Sequence, residues 1–201
     1  MKLTATMFLS VDGVYQGPGG PTEDTSGGFD RGGWLVPSFD EQTGQFIGEV
    51  FEQVDAFLLG RKTYEIFKSY WPKVTDETGT ALNTLPKHVV SRTMQSSDWQ
   101  PTDFVRDLPG DVERLKAQPG RELQVHGSGA LVRSLLEHDL LDELRLLVFP
   151  VIVGAGRRLF PDAGPATGLA LAESRATPSG VSILVYRPTG RATFGEVPPA
   201  Q

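Results

Sequence analysis

The sequence predicts an α/β protein with a central mixed, mostly parallel sheet, helices on its faces and an antiparallel hairpin at the carboxyl end. Three observations predict this. Short continuous apolar runs such as Ala56–Leu59 mark strands buried on both faces. Segments with helical periodicity separate those runs through the middle of the chain, which is the pattern of parallel sheets. The last segments read as strands with no helix between them, so they close the sheet antiparallel.

The first strand covers Leu3 to Leu9 and stops at the Asp12-Gly13 turn. From Gly17 to Gly33 the chain holds Gly, Pro, Thr, Ser and Asp with almost nothing apolar, and an internal loop of that length is functional or mobile. A helix is expected over Phe39–Val54, where Ile47, Val50, Phe51 and Val54 fall at i, i+3, i+4 and i+7. The Ala56–Leu59 strand breaks at Gly60, and a second helix over Tyr64–Tyr70 stops before Pro72. A loop leads to a strand over His88–Ser91. Phe104-Val105 reads as a small strand, and Val112–Gln118 as a helix ended by Pro119-Gly120. The strand Leu123–His126, the turn Gly127-Ser128-Gly129 and the helix Ala130–Glu137 follow. Glu143–Phe149 alternates and merges with Val151–Val153, so it reads as one long strand bent at Pro150. Leu169–Ala176 and Val181–Arg187 flank Thr-Pro-Ser-Gly as a hairpin. No repeat or linker divides the chain, so residues 1–190 form one domain and 191–201 a frayed tail.

Composition narrows the function. Lys and Arg number 19 against 25 Asp and Glu, a net charge of −6 in 201 residues. That balance disfavours nucleic acid as a partner, because phosphate neutralisation needs concentrated cations. The lack of cysteine excludes disulfides, thiol nucleophiles and thiolate zinc sites. His88, His126 and His138 are too scattered to suggest a histidine metal site. The amino terminus is not a signal peptide, and the longest apolar run, Leu146–Val153, is far too short for a membrane span. A soluble, cytoplasmic protein without membrane or metal partners is expected.

Two turns join an apolar strand to a helix through glycine. In Gly60-Arg61-Lys62-Thr63 the helix start leaves backbone N–H groups unpaired, a natural phosphate seat, and the two cations and a hydroxyl add to it. The P-loop pattern is excluded, because position 55 is Asp. The second turn, Gly127-Ser128-Gly129-Ala130, has Gly-x-Gly but lacks the third glycine of the dinucleotide fingerprint. Alone it is equally a turn that needs positive φ. Ser91-Arg92-Thr93 ends a strand with an arginine between hydroxyls, which suits phosphate or a plain solvated edge. Asp12 caps a turn or serves chemistry.

Strand–GRKTYE–helix, strand–VVSR and strand–HGSGALVRSLL–helix occur in that order, with FLSVDGVYQG before them and LVFPVIVGAGRRLFPD after them. Together these blocks resemble the dihydrofolate-reductase-like superfamily, over Leu3 to about Arg187. Within it the chain is similar to stand-alone relatives of the reductase domain of the riboflavin-biosynthesis deaminase/reductase. The resemblance implies a reductase that uses NADPH on a small heterocycle: a pyrimidine such as 5-amino-6-(5-phosphoribosylamino)uracil, or a pterin. No deaminase is expected without the zinc-binding Cys/His set. A dinucleotide-binding or regulatory module without turnover is the alternative.

The resemblance also assigns residues. Gly60, Arg61, Lys62 and Thr63 would hold the cofactor phosphates, with Arg61 or Lys62 near the adenosine end. Ser91 and Arg92 would read the ribose 2′-phosphate. Gly127, Ser128, Gly129 and Ala130 would lie under the pyrophosphate and nicotinamide ribose. Asp12 would sit beside nicotinamide and substrate, and Trp34 would wall the substrate pocket. Phe39 falls where dihydrofolate reductases carry their buried acid, which leaves Asp40, one place late and turned by about 100° on a helix, as either the proton donor or an exposed first-turn acid favoured by the helix dipole. Arg157-Arg158 is a candidate seat for a substrate phosphate. A homodimer is expected mainly from the resemblance; the apolar run Leu146–Val153 needs cover, either from a second subunit or inside the monomer.

Overall fold

The computed structural model describes residues 1–162, 164 and 166–197. Its strands are β1 (Lys2–Ser10), β2 (Val54–Gly60), β3 (Lys87–Val90), β4 (Thr102–Val105), β5 (Glu122–Val125), β6 (Glu143–Phe149), β7 (Thr167–Ala176) and β8 (Ser182–Arg191). The helices are α1 (Glu41–Phe51), α2 (Arg61–Tyr70), α3 (Glu77–Thr84), α4 (Leu108–Lys116) and α5 (Gly129–Glu137). One sheet takes all eight strands in the order β4-β3-β2-β5-β1-β6-β8-β7. Pairing is parallel from β4 to β6 and antiparallel at β6–β8 and β8–β7. The fold class expected from the sequence is therefore the one observed.

Helices α4 and α5 cover one face, where Val112, Leu115, Leu131 and Leu135 pack on Leu3, Ala5, Leu123 and Leu144. On the other face α1 presses Phe46 and Val50 onto Leu147, Phe149 and Ile183. There too, Tyr64 of α2 and Leu82 of α3 meet Phe57, Leu59 and Val89. This second face also carries a buried charged row. Arg145 donates to both oxygens of Glu122 at 2.9 and 2.6 Å and to Glu143 at 2.9 Å, while Lys2 reaches Glu143 at 2.6 Å. Thr4 and Gln124 donate to Glu122 as well. Along β1 the apolar Leu3, Ala5, Met7 and Leu9 face α4 and α5, Thr4 meets the charged row, and the alternation breaks at Phe8, which packs edge-on to Phe149 on the second face.

Several boundaries move. Val54 belongs to β2, so the first helix is shorter than expected, and α2 starts at Arg61, directly after Gly60. Helix α3 replaces an expected loop. It is short, buries only Gly79 and Leu82, and so shows no apolar stripe, but Asp76 caps it by accepting from the Gly79 N–H at 2.8 Å. The strand does not continue through Pro150. That residue has no N–H to donate, and Val151 turns back to bond the Phe149 carbonyl at 2.7 Å. Strand β8 runs on to Arg191 and Ala192 bonds Ala166, so part of the expected tail is tied down, while residues 198–201 lie outside the described residues. Finally, the β6 part of the apolar run, Leu146 to Phe149, is covered within the chain because β6 lies between β1 and β8, whereas Ile152 beyond Pro150 is 73% exposed.

The charged row sets a stability expectation. Arg145→Ala leaves Glu122 and Glu143 buried without their cation and should cost about 3–5 kcal/mol, read as a lower urea midpoint. Burial would raise the Glu122 carboxyl, but the Arg145 guanidinium holds it below the ordinary value of 4.5. Stability should therefore fall as pH drops below that value, and fall less steeply in the variant.

Candidate functional site

At the carboxyl edge of the sheet, neighbouring strands β2 and β5 feed helices that leave on opposite faces. Their starting turns touch. The Gly60 N–H donates to the Gly127 carbonyl at 3.0 Å. A Cβ on Gly60 would lie 2.5 Å from Ser128 Oγ and 2.9 Å from Ser128 N, and one on Gly127 would lie 2.6 Å from Thr63 Oγ1. Gly127 also has φ +124°, which L side chains avoid. Glycine is thus required at both places, at Gly60 for close approach and at Gly127 for approach and conformation.

Neither Gly60 nor Ser128 caps its helix through a side chain, whereas Asp40 and Asp76 cap α1 and α3. Two uncapped amino termini, each with roughly half a positive charge, therefore meet at one spot. A cavity of about 230 Å³ opens there, lined by Gly60, Arg61, Val90, Leu108, Ser128, Ala130, Leu131 and Ser134. Thr63 and Gly129 complete the junction, and the Tyr15 ring lies against Gly129, where a Cβ would come 2.6 Å from it.

Cations border this cleft in two groups. Arg61 bonds Glu65 and the Thr93 hydroxyl, at 2.7 and 2.8 Å, which sets it beside the turn after β3. Arg92 in that turn is exposed and makes no ion pair among the described residues. Ser91 is buried and works as a turn former, its Oγ accepting from the Met94 N–H at 3.1 Å. Arg106, which the sequence did not single out, holds the turn by donating to the Ser91 and Met94 carbonyls.

Lys62 stands apart from Arg61. Its Nζ is 2.9 Å from Asp24 of the glycine-rich loop, and it also bonds the Ser26 hydroxyl. Arg157 binds the same Asp24 and Ser26 from the segment after β6. Burial would raise the Asp24 carboxyl, but bonds from Ser26 and Lys62 and the charge of Arg157 keep it lowered. Gln16 organises the rest of the loop. Its Nε2 donates to the Asp24 and Ser26 carbonyls, its Oε1 accepts from Arg157 N–H, and its carbonyl accepts from Trp34 Nε1. A single Gln among glycines carries no sequence signal for this role.

The two candidate acids are not free. Asp12 accepts from Ser10 Oγ and Val153 N on one oxygen, and from Gly154 N and Arg158 on the other. Burial alone would raise its carboxyl, yet these four donors hold it well below the usual carboxylate range. It clasps the end of β1 to the segment after β6. Asp40 caps α1 through Thr43 N–H at 2.9 Å and ties in the Ser179 N–H at 3.1 Å. Burial opposes its ionisation, while the bonds from Thr43, Ser179 and Thr177 hold it far below the ordinary range. Both are hydrogen-bond acceptors held ionised, and Asp40 takes the helix-terminal place, as the N-cap of α1. Trp34 is buried, packed edge-on to Phe149 at 5.9 Å, so it belongs to the loop's core rather than to an open wall. Arg157 and Arg158 are ion-paired with Asp24 and Asp12, so a substrate phosphate at this pair would have to compete with those carboxylates.

Comparison with known proteins places this architecture. Over 94% of its length the chain is 27% identical to the uncharacterized protein YyaP of Bacillus subtilis (strain 168), spanning 96% of that protein. It superposes on the "Putative riboflavin biosynthesis protein" of Shewanella sp. PV-4 with a TM-score of 0.72 and 22% identity, covering 94% of this chain and 99% of that one. The Saccharomyces riboflavin biosynthesis reductase Rib7 gives a TM-score of 0.59 at 14% identity, covering 94% and 90% of the two chains. These likenesses establish a dihydrofolate-reductase-like fold. The family model for the RibD C-terminal domain matches residues 1–183, and the chain belongs to that family.

Proposed function

We propose that the protein is an NADPH-dependent reductase of a small heterocycle, either a pyrimidine of the 5-amino-6-(5-phosphoribosylamino)uracil kind or a pterin, working in the cytoplasm as a homodimer. One observation carries the reading: the uncapped starts of α2 and α5 meet at a cavity and leave their N–H groups for an anion. Membership of the RibD C-terminal family and the likeness to Rib7 support the reaction class.

The residues fit a dinucleotide. N–H groups of Arg61–Thr63 and Gly129–Leu131 would hold the pyrophosphate, and Arg61 with the unpaired Arg92 would take the 2′-phosphate. NADPH, when bound, supplies the hydride. The chain positions and encloses: Tyr15 covers the start of α5, and Asp12 and Asp40 fix the β1 end and α1 as ionised brackets. With both acids committed, a binding module without turnover is the second reading, and the two differ in whether NADPH is oxidised.

Nicotinamide fluorescence titration should show NADPH bound about tenfold more tightly than NADH, with the preference lost in Arg92→Ala. Loss of NADPH absorbance over a panel of aminouracils and pterins then separates reductase from module. Binding of neither dinucleotide would end both readings. Asp24→Asn removes a carboxylate that competes for Lys62 and should tighten NADPH about threefold in the same titration. For the dimer, β7 offers an open edge with Leu169 and Leu171 exposed, and light scattering at micromolar protein should give twice the chain mass of 21.8 kDa.

A further inference from the structure

The junction of α2 and α5 lies between β2 and β5, and the next strands along the sheet are β1 and β6. A dinucleotide with its 2′-phosphate at Arg92, beside β3, points its nicotinamide end the other way, toward β1 and β6. Three segments meet there. Asp12, after β1, accepts from the Val153 and Gly154 N–H groups, each at 2.9 Å. Arg31 of the glycine-rich loop donates to the Val153 carbonyl at 2.6 Å. Ser179 donates to the Ser38 carbonyl at 2.6 Å and to Asp40 at 3.1 Å. A Cβ on Gly180 would lie 3.5 Å from Pro150, so the start of α1 stands beside the segment after β6.

Among the described residues every cation at this place already has a partner. Lys62 and Arg157 share Asp24, whose side chain is only 7% exposed. Arg158 donates to the Asp12 carbonyl at 2.8 Å and to its carboxylate at 3.3 Å. Arg31 faces Asp30 at 3.8 Å, and Arg133 of α5 is turned to the Arg158 and Leu159 carbonyls. The acids are not free to make way. Asp12 satisfies two backbone N–H groups, and moving it would leave both without an acceptor. The start of α1, a further helix end that could receive an anion, is filled by the Asp40 carboxylate. Residues 32–60, which run from the loop through α1 to the end of β2, contain five Asp and Glu and no Lys, Arg or His.

What this edge does present is apolar. Val11, Val36, Phe39 and Ile152 are between 44% and 73% exposed, and the Val11 N–H donates to the Val151 carbonyl at 2.8 Å, which sets Val11 beside Ile152. Exposed apolar side chains grouped at one edge suit an uncharged ligand group.

We propose that the heterocycle this site takes is unphosphorylated, a ring with a neutral arm in place of the sugar phosphate of a phosphoribosyl pyrimidine. The inference rests on the reductase reading for the ring itself and names the charge of what the ring carries. A phosphate dianion here gains no unpaired cation and is brought toward Asp12, Asp24 and Asp40, all ionised. A hydroxyl in the same position meets no such repulsion.

The test uses the full-length protein and two probes that differ only in the phosphate, 5-amino-6-(5-phosphoribosylamino)uracil and 5-amino-6-(ribosylamino)uracil. Millimolar NADP⁺ is present throughout, so that the phosphorylated probe cannot occupy the anion seat between α2 and α5. Calorimetry at low salt should show the neutral probe bound about tenfold more tightly. Raising salt to about 0.5 M should narrow the gap, because screening weakens repulsion. Asp24→Asn, which releases Arg157, should recover about threefold of the affinity for the phosphorylated probe. In NADPH oxidation assays kcat/KM should rank the two probes in the same order. Equal or tighter binding of the phosphorylated probe overturns the proposal, as does a gap that salt leaves unchanged, or binding of neither probe at millimolar concentration. A titration with NADP⁺ alone separates this inference from the reading beneath it. If NADP⁺ binds and the phosphorylated probe is preferred, the inference fails and the reductase reading stands. If the neutral probe is preferred and no dinucleotide binds, the reductase reading fails and the charge preference stands.

Discussion

The close approach of two helix starts is the constraint on which the site is built. Strands β2 and β5 are neighbours in the sheet although α2, α3, β3, β4 and α4 separate them in sequence. Because α2 and α5 leave on opposite faces, only their first turns meet, and they meet in contact because Gly60 and Gly127 have no side chains. Two positive helix ends side by side repel each other, and no side chain of either N-cap relieves them. The sheet, held by apolar packing on both faces and by the Arg145 row on the second, carries that electrostatic tension. An anion placed between the helix ends removes it.

The carboxylates show how environment decides role. Asp12 and Asp40 are the acids the sequence offered for chemistry, and Asp24 of the glycine-rich loop shares their kind of surroundings. Each is instead surrounded by N–H, hydroxyl or cationic donors, which favour the charged form and fill its lone pairs. They serve as tethers between segments distant in sequence. His126, stacked on Phe51 just before Gly127, is the reverse case, a titratable group whose burial favours the neutral form.

Much of this was legible locally. An apolar run, a glycine and a helix start are adjacent in sequence, so the junctions at Gly60 and Gly127 could be read directly, as could the α/β class. What could not be read depended on phase or distance. Whether Asp40 points into a pocket or caps a helix is decided by where α1 begins, a matter of a single residue. The partnership of Asp24 with Arg157 spans 133 positions, and the one that places Arg106 under the turn after β3 depends on strand order. Pro150 ended β6 where periodicity alone ran on, because the ladder needs an N–H that proline lacks. The burial of Leu146 and Leu147 likewise followed from strand order, which composition does not encode.

The tether at Lys62 has a consequence for how the protein meets its medium. Asp24 is shared by Lys62 and Arg157, one carboxylate against two cations, so an anion arriving at Lys62 would compete with Asp24 rather than meet a free ammonium. Salt weakens the tether and the incoming contact alike, since both are screened over the same Debye length. The two losses offset each other. The affinity of any polyanion that binds at this edge would thereby vary less with ionic strength than the number of cations around the cleft implies.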